Sequence, residues 1–363
     1  MTATDLFEPF EHAGLRLRNR IALAPLTRAR ASSVGLPGAA QAEYYRQRAS
    51  AGLLITEAIA VAPEGRGGAF TPGLYDDAQV AGWKLTTDAV HAAGGLIFAQ
   101  LWHAGRLSHS SLTADGAVPV SPAAAIAPGS AFTEAGFVPY EMPRVLATRE
   151  VEAVAAQFRR AAENARRAGF DGVQLHATHG YLIDSFLRDA INDRSDRYGG
   201  SLENRARLLV ETLSELIEVF GGDRVAVRLA PNTRAGGMSD SDTAATFAYV
   251  IDRLNERGVG WLDLVEGDNL VTRTPDDAID TDALAARFRG AVIVNHLYTT
   301  ELAIAARRER KADMVAFGRL FIGNPDLVAR LKSGSALVEA ARDHYYGGSG
   351  EGYIDYPALT AVR

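Results

Sequence analysis

Short apolar runs alternate with longer segments of helical periodicity about eight times along this chain, and few folds accept that order. The runs are Ile21 to Thr27, Leu53 to Ile59, Leu96 to Leu101, Val173 to Ala177, Val225 to Ala230, Trp261 to Glu266, Ala291 to Asn295 and Asp313 to Phe317. Helical patterns lie around Ala39 to Ala51, Asp77 to Ala93, Thr148 to Ala168, Asp242 to Glu256, Asp282 to Phe288 and Thr300 to Arg310. Another ends near Phe220, and the tail from Asp326 to Lys332 is also helical. Eight strand–helix units close a (β/α)8 (TIM) barrel of the α/β class, and 363 residues fit one such unit, so a single domain over 1–363 is expected. Asp5 to Arg18 reads as an N-terminal hairpin cap turning at Gly14. The interval from His103 to Thr148, after strand three, reads as a long lid or binding loop, or as a surface flap.

With 47% hydrophobic and 23% charged residues, the chain can bury a large core. A net charge of −6 without a dense Lys/Arg run argues against nucleic-acid and anionic-membrane partners. Cysteine is absent, which removes disulfides, thiolate iron–sulfur clusters, cysteine zinc sites and a cysteine nucleophile. The N-terminal stretch carries acidic residues where a secretory signal needs a basic start and an apolar run. No apolar run approaches the roughly 20 residues of a membrane helix, so a cytoplasmic location is expected.

Polar residues gather at strand ends: Thr27 and Arg28 at the first, Glu57 and Ala58 at the second, Gln100 and Trp102 at the third, His176 at the fourth, Arg228 at the fifth, Gly318 and Arg319 at the eighth. In a barrel these would converge on the C-terminal mouth, where such folds build their sites. The densest stretch is GVQLHATHGYLIDSFLR, Gly172 to Arg188, where a strand ends in His176 and a helical pattern opens after His179 and Tyr181. Two imidazoles and a phenol can donate hydrogen bonds to a substrate oxygen and a proton to a carbon. The same residues admit other readings: a His-x-x-His pair can hold a metal, a strand-end histidine can be purely structural, and Tyr181 can simply pack at a helix start.

The set suits a large flat ligand with a polar edge better than a metal, because no carboxylate at strand eight joins the paired histidines. Gln100 both donates and accepts, as an imide edge requires, and Arg228 offers a fixed cation; a flavin ring needs both. Gly318-Arg319, ahead of the Pro325 helix, is placed to hold a phosphate. The run Gly65 to Phe70 lacks the last glycine of a dinucleotide fingerprint and opens no helix, and no Walker-type loop is present. A nicotinamide donor would therefore bind without a Rossmann domain.

The segments APLTR (Ala24 to Arg28), AEYYRQRASAGLLITEA (Ala42 to Ala58), AQLWHAGR (Ala99 to Arg106), HATHGYLIDSFL (His176 to Leu187), DRYGGSLENRARL (Asp196 to Leu208), VAFGR (Val315 to Arg319), NPDLVARL (Asn324 to Leu331) and EGYIDYP (Glu351 to Pro357) occur in this order. In them the chain resembles the Old Yellow Enzyme family over nearly its whole length, most of all the bacterial branch that includes N-ethylmaleimide and pentaerythritol tetranitrate reductases. The resemblance implies an FMN-dependent ene-reductase that takes hydride from NADPH or NADH and reduces an electron-poor alkene, an α,β-unsaturated carbonyl or nitro compound. It implies Thr27 at flavin O4, Gln100 on the pyrimidine edge and Arg228 beside N1/O2, with Pro25, Ala58, Gly318 and Arg319 completing the cofactor site. His176 and His179 would hold the substrate oxygen, Tyr181 would protonate the α-carbon, and Trp102, Gly68 and Tyr353 would shape the pocket. No metal is implied.

Reduction of nitroesters or nitroaromatics by the same flavin, a metal-dependent barrel hydrolase, and a flavin-binding protein without turnover are the alternatives. Absence of cysteine separates the chain from the iron–sulfur dienoyl-CoA reductases of the superfamily, and Thr27 stands where the thermophilic-like branch generally has Cys. Two departures stand out. Gly68 falls where bacterial relatives often carry a pocket Tyr, and Asn295-His296 where a Gly-containing phosphate-side turn is usual. The first predicts a wider pocket unless the long loop, with Phe132, Phe137 and Tyr140, fills the gap. Gly68 could alternatively serve only to permit a turn with positive φ.

Overall fold

Eight parallel strands close a barrel in chain order. In the computed structural model, which describes residues 5–113, 115–268, 273, 278–348 and 350–359, they are β1 (Ile21–Leu23), β2 (Leu53–Ala60), β3 (Ile97–Trp102), β4 (Gly172–Ala177), β5 (Val225–Leu229), β6 (Trp261–Val265), β7 (Ala291–Asn295) and β8 (Met314–Phe317). The helices that follow them are α1 (Ala39–Gln47), α2 (Asp77–Ala92), α3 (Thr148–Arg167), α4 (Leu202–Phe220), α5 (Thr243–Glu256), α6 (Thr281–Arg287), α7 (Thr300–Arg308) and α8 (Leu327–Ser333). This is the (β/α)8 barrel that the sequence predicts. No helix among the described residues is long and apolar enough to cross a membrane.

Two apolar layers hold the barrel. Outward strand residues pack on helix stripes; α3 shows the spacing well, burying Val151, Val154, Ala155, Phe158, Ala161, Ala162 and Ala165 on one face. Truncating a side chain such as Phe158, which is fully buried, would destabilise by about 3–5 kcal/mol. Inside the barrel the lower layer is also apolar, built from Leu53, Ile55, Phe98, Ala226, Trp261, Ala291, Ile293, Met314 and Ala316. The predicted cap plugs that end: strands Phe10–His12 and Leu15–Leu17 form an antiparallel hairpin through Ala13 and Gly14, both at positive φ, and the His12 ring meets Trp261 edge-on at 4.6 Å.

The structure departs from the predicted elements in three places that shape the mouth. β1 leaves the ladder at Leu23, not Thr27, because Pro25 brings no N–H to it. β2 carries a bulge, with Ile55 opposite Phe98 but Ala58 opposite Gln100. The extra residue puts Ala58 on the inner face and turns Glu57 away from it. The loop after β3 has structure of its own: a hairpin of Ser130–Thr133 with Gly136–Pro139, and a short parallel pair, Val120–Ser121 with Arg144–Val145.

Candidate active site

Climbing the inner face of the barrel, side chains change from apolar to polar within one pleat. Gln174 lies opposite Gln100, His176 opposite Arg228, and Arg228 opposite Asp263, so all five share the inner face. Gln100 Nε2 donates to Gln174 Oε1 at 2.7 Å, and Gln174 Nε2 donates to Asp263 Oδ2 at 2.9 Å. Arg228 donates through Nη1 to Asp263 Oδ2 at 2.7 Å and through Nη2 to Asn295 Oδ1 at 3.2 Å, while Asn295 Nδ2 donates to Asp263 Oδ1 at 2.5 Å. Every member is buried. At the β2 bulge, the Thr56 hydroxyl accepts from the Gln100 backbone N–H at 2.9 Å and fixes the start of the chain of bonds.

Above this layer, the turn after β4 gathers the rings. His179 and Gly180 both take positive φ, 59° and 80°, and a side chain at Gly180 would press on the Ala235 carbonyl at 2.8 Å, which reserves that position for glycine. Asp184 accepts from the Gly180 N–H at 2.9 Å and pairs with Arg188 at 3.0 Å, both fully buried, so the turn is clamped from below. The reversal brings the His179 ring within 6.0 Å of His176, and Tyr181 stands edge-on to His176 at 4.9 Å and to Trp102 at 5.1 Å. Ala58 and Ala104 pack with Trp102 and Tyr181. Thr178, fully buried between the histidines, contacts His176 Nδ1 at 3.2 Å and His179 Nδ1 at 2.5 Å. Where its hydroxyl donates to an imidazole Nδ1, that ring keeps its proton on Nε2, the nitrogen left for a ligand.

These rings are electrically quiet. Burial, then His179 and Arg228, hold His176 well below its ordinary value; burial, then Arg228 and His296, push His179 down to about 3. Both are therefore neutral near pH 7, each with one ring N–H to donate and one bare nitrogen, and the single Thr178 proton can go to only one of the two Nδ1 atoms. Burial, with smaller contributions from the Tyr140 and Tyr346 phenols, raises Tyr181 above its ordinary value, so it keeps its proton. No group of three or more His, Asp or Glu side chains able to hold a metal occurs among the described residues.

The remaining predicted site residues divide. Pro25 and Thr27, half-buried, follow β1, and Gly318, also half-buried, follows β8. Arg319 is exposed and makes no ion pair among the described residues. Gly318 and Arg319 do not directly precede the Pro325 helix; they open a short helix of their own, Arg319–Gly323. Gly68 has no positive φ, and a Cβ there would meet Thr71 and the Phe132 carbonyl at ordinary contact distances, so the turn reading fails. The long loop does reach this place: Phe132 bridges to Gly68 and accepts from the Ala69 N–H at 2.8 Å. The glycine pressed on the pocket indole is Gly67, whose Cβ would fall 2.5 Å from Trp102.

Arg28, Glu57 and Tyr353 lie elsewhere. Arg28 donates to the carbonyls of His344, Tyr345 and Gly352, and Glu57 Oε2 accepts from the Arg28 and Ala29 N–H groups. Tyr353 is fully buried and stacks on Tyr44 at 4.4 Å, apart from the His176–Tyr181–Trp102 ring contacts. At the Asn295-His296 departure the backbone still turns left-handed, with φ 109° at His296 and 53° at Leu297 and no glycine to relieve it; such a residue costs about 1–3 kcal/mol. Sequence reasoning missed Gln174, Asp263 and Thr178, and it singled out Asn295 only at the phosphate-side turn, not as a partner of Arg228 and Asp263. For Gln174 and Asp263 the signal was a polar residue interrupting an apolar strand.

The chain matches the NADH:flavin oxidoreductase / NADH oxidase family over residues 5–337. It is 40% identical to 12-oxophytodienoate reductase 7 of Oryza sativa subsp. japonica, over 98% of this chain and 94% of that one. It is 37% identical to a probable flavin mononucleotide-dependent alkene reductase of Leishmania infantum, over 98% and 97% of the two chains. Among solved structures it resembles morphinone reductase in complex with tetrahydroNAD (TM-score 0.93, 42% identity, 99% of both chains). An old yellow enzyme homologue from Zymomonas mobilis is similarly alike (TM-score 0.94, 42% identity, 98% of this chain and 100% of that one). With a closed eight-stranded barrel and this ring cluster at its mouth, the chain belongs to the NADH:flavin oxidoreductase / NADH oxidase family, the FMN-dependent Old Yellow Enzyme family.

Proposed function

We propose that this chain reduces the activated C=C bond of α,β-unsaturated carbonyl or nitro compounds, with FMN in the barrel mouth and NADPH or NADH as reductant. The observation that carries the reading is the meeting of two neutral imidazoles and one protonated phenol on the same wall, with His176 and Tyr181 at 4.9 Å. FMN, when bound, supplies hydride to the β-carbon. The residues below it suit that cofactor: a buried amide at Gln100 and a guanidinium at Arg228, on the same inner face, would meet one edge of the ring, and Arg319 offers an exposed cation after β8.

His176 and His179 would each give a substrate oxygen one hydrogen bond, worth about 1.5–3 kcal/mol as negative charge develops there. Tyr181, held protonated, then delivers its proton to the α-carbon. Trp102 and Ala58 wall the space beside Tyr181 and exclude water.

The test is anaerobic reduction by NADPH followed by reoxidation with a panel of enones and nitroesters. Tyr181→Phe should slow reoxidation by enones at least a hundredfold, the lower end of the usual range of about 10²–10⁴ for a proton donor, and spare nitroesters, which need no carbon protonation. Equal loss with both substrate types would remove Tyr181 from the role.

A further inference from the structure

The cofactor reading gives Arg228 the part of a cation facing the flavin, yet in this chain the charge is already met. Arg228 Nη1 lies 2.7 Å from Asp263 Oδ2, and the two side chains are 9% and 0% exposed. Three donors converge on that one carboxylate: Arg228 Nη1, Gln174 Nε2 and Asn295 Nδ2. An ionised carboxylate only accepts, so all three directions are fixed, and the fixing propagates outward. Gln174 has to aim its NH2 at Asp263, which turns its Oε1 to Gln100; Gln100 has to spend Nε2 on that oxygen. Gln100 Oε1 is then left to accept from a ligand, with the second N–H of Nε2 beside it, and no group among the described residues donates to that oxygen.

We infer that Asp263 is a positioning residue that balances the charge of Arg228 and, through Gln174, presents Gln100 to the cofactor as an acceptor. This rests on the FMN reading above. The cofactor's N3–H then meets an acceptor at Gln100, and its N1/O2 side meets a neutral ion pair rather than a net cation. Anionic reduced FMN is consequently held less tightly, relative to oxidised FMN, than it would be beside an unpaired arginine, which makes it the stronger reductant.

The experiment measures the two-electron midpoint potential of bound FMN against a reference dye, and FMN affinity by fluorescence titration. Asp263→Asn leaves Arg228 uncompensated. The preference for reduced over oxidised FMN should rise about tenfold, a shift of about 30 mV upward; an unchanged or lower potential overturns the inference. Asp263→Ser applies the same test should the Asn variant not fold, and a variant that folds yet takes up no FMN also overturns it, since charge balance would then be secondary to affinity. Gln174→Leu keeps the ion pair and cuts only the bridge: FMN affinity should fall severalfold with the potential unmoved, and a shift as large as that of Asp263→Asn overturns the orienting role. Wild-type protein that binds no FMN defeats the functional reading itself, and is recognised before any variant is made.

Discussion

Two walls meet at the barrel mouth and are built on opposite principles. The lower wall, Gln100, Gln174, Asp263, Arg228 and Asn295, is charged and closed on itself except at Gln100 Oε1, its members joined by five hydrogen bonds within the wall. The upper wall, His176, His179, Tyr181 and Trp102, is neutral and open; its rings meet edge-on, Thr178 touches only the two Nδ1 atoms, and Trp102 Nε1 is buried with no partner among the described residues. Under the proposed function, the difference would let one mouth hold a permanent tenant and a passing one. A connected buried network is rigid and fixes the direction of the one amide oxygen it leaves open, at Gln100, whereas neutral rings with spare nitrogens can take a succession of small oxygens at little desolvation cost.

Breaking the closed wall should have the largest effect. Arg228→Met strands Asp263 as an unpaired buried carboxylate, and chemical denaturation of the FMN-free protein should show a loss of about 3–5 kcal/mol. Arg228→Met with Asp263→Leu should recover most of it, because both charges leave together. If the single variant is as stable as the wild type, the wall is not closed in the sense described.

The open wall predicts a smaller loss, in acid. His179 is held at about 3 in the folded chain and titrates near 6.5 when unfolded. The unfolded chain therefore binds the extra proton between those values, and the stability that neutral His179 contributes above pH 6.5 is lost as pH falls toward 3. At pH 5 the loss is about 2 kcal/mol. His179→Gln should flatten the fall in stability between pH 7 and pH 5; an unaltered fall would place the acid sensitivity elsewhere.

The smallest effect separates two adjacent glycines at the edge of the open wall. Gly68→Ala has room and should change stability by less than about 1 kcal/mol. Gly67→Ala pushes its Cβ into Trp102 and Ala104, both buried, and should alter the tryptophan fluorescence and the KM for bulky enones. Indistinguishable spectra and kinetics for the two variants would show that Gly67 does not set the indole.

Much of this was legible in the sequence because parallel barrel strands read as apolar runs, and the residue that ends each run points to the mouth. His176, Gln100 and Arg228 were found that way. Gln174 and Asp263 stand on the same inward register, within the runs VQLH and WLDLV, where apolar continuity hides them, and Asn295 showed only as a departure at a turn, not as a partner of Arg228. Thr178 was not legible at all, since its place between two histidines depends on the left-handed turn at His179. Arg28 and Tyr353 misled for a different reason: Arg28 bonds a carbonyl 317 positions away, and no local pattern carries that information.

That long-range bond sets a timetable. The buried Arg28 guanidinium finds its acceptors on residues 344, 345 and 352, all synthesised after the eighth barrel strand. Until they arrive, the loop bearing Thr27 has a cation with nowhere to lodge, so the barrel can close before its mouth is finished. A chain emerging from the ribosome thus has all eight barrel strands before it has the acceptors that hold the loop bearing Thr27.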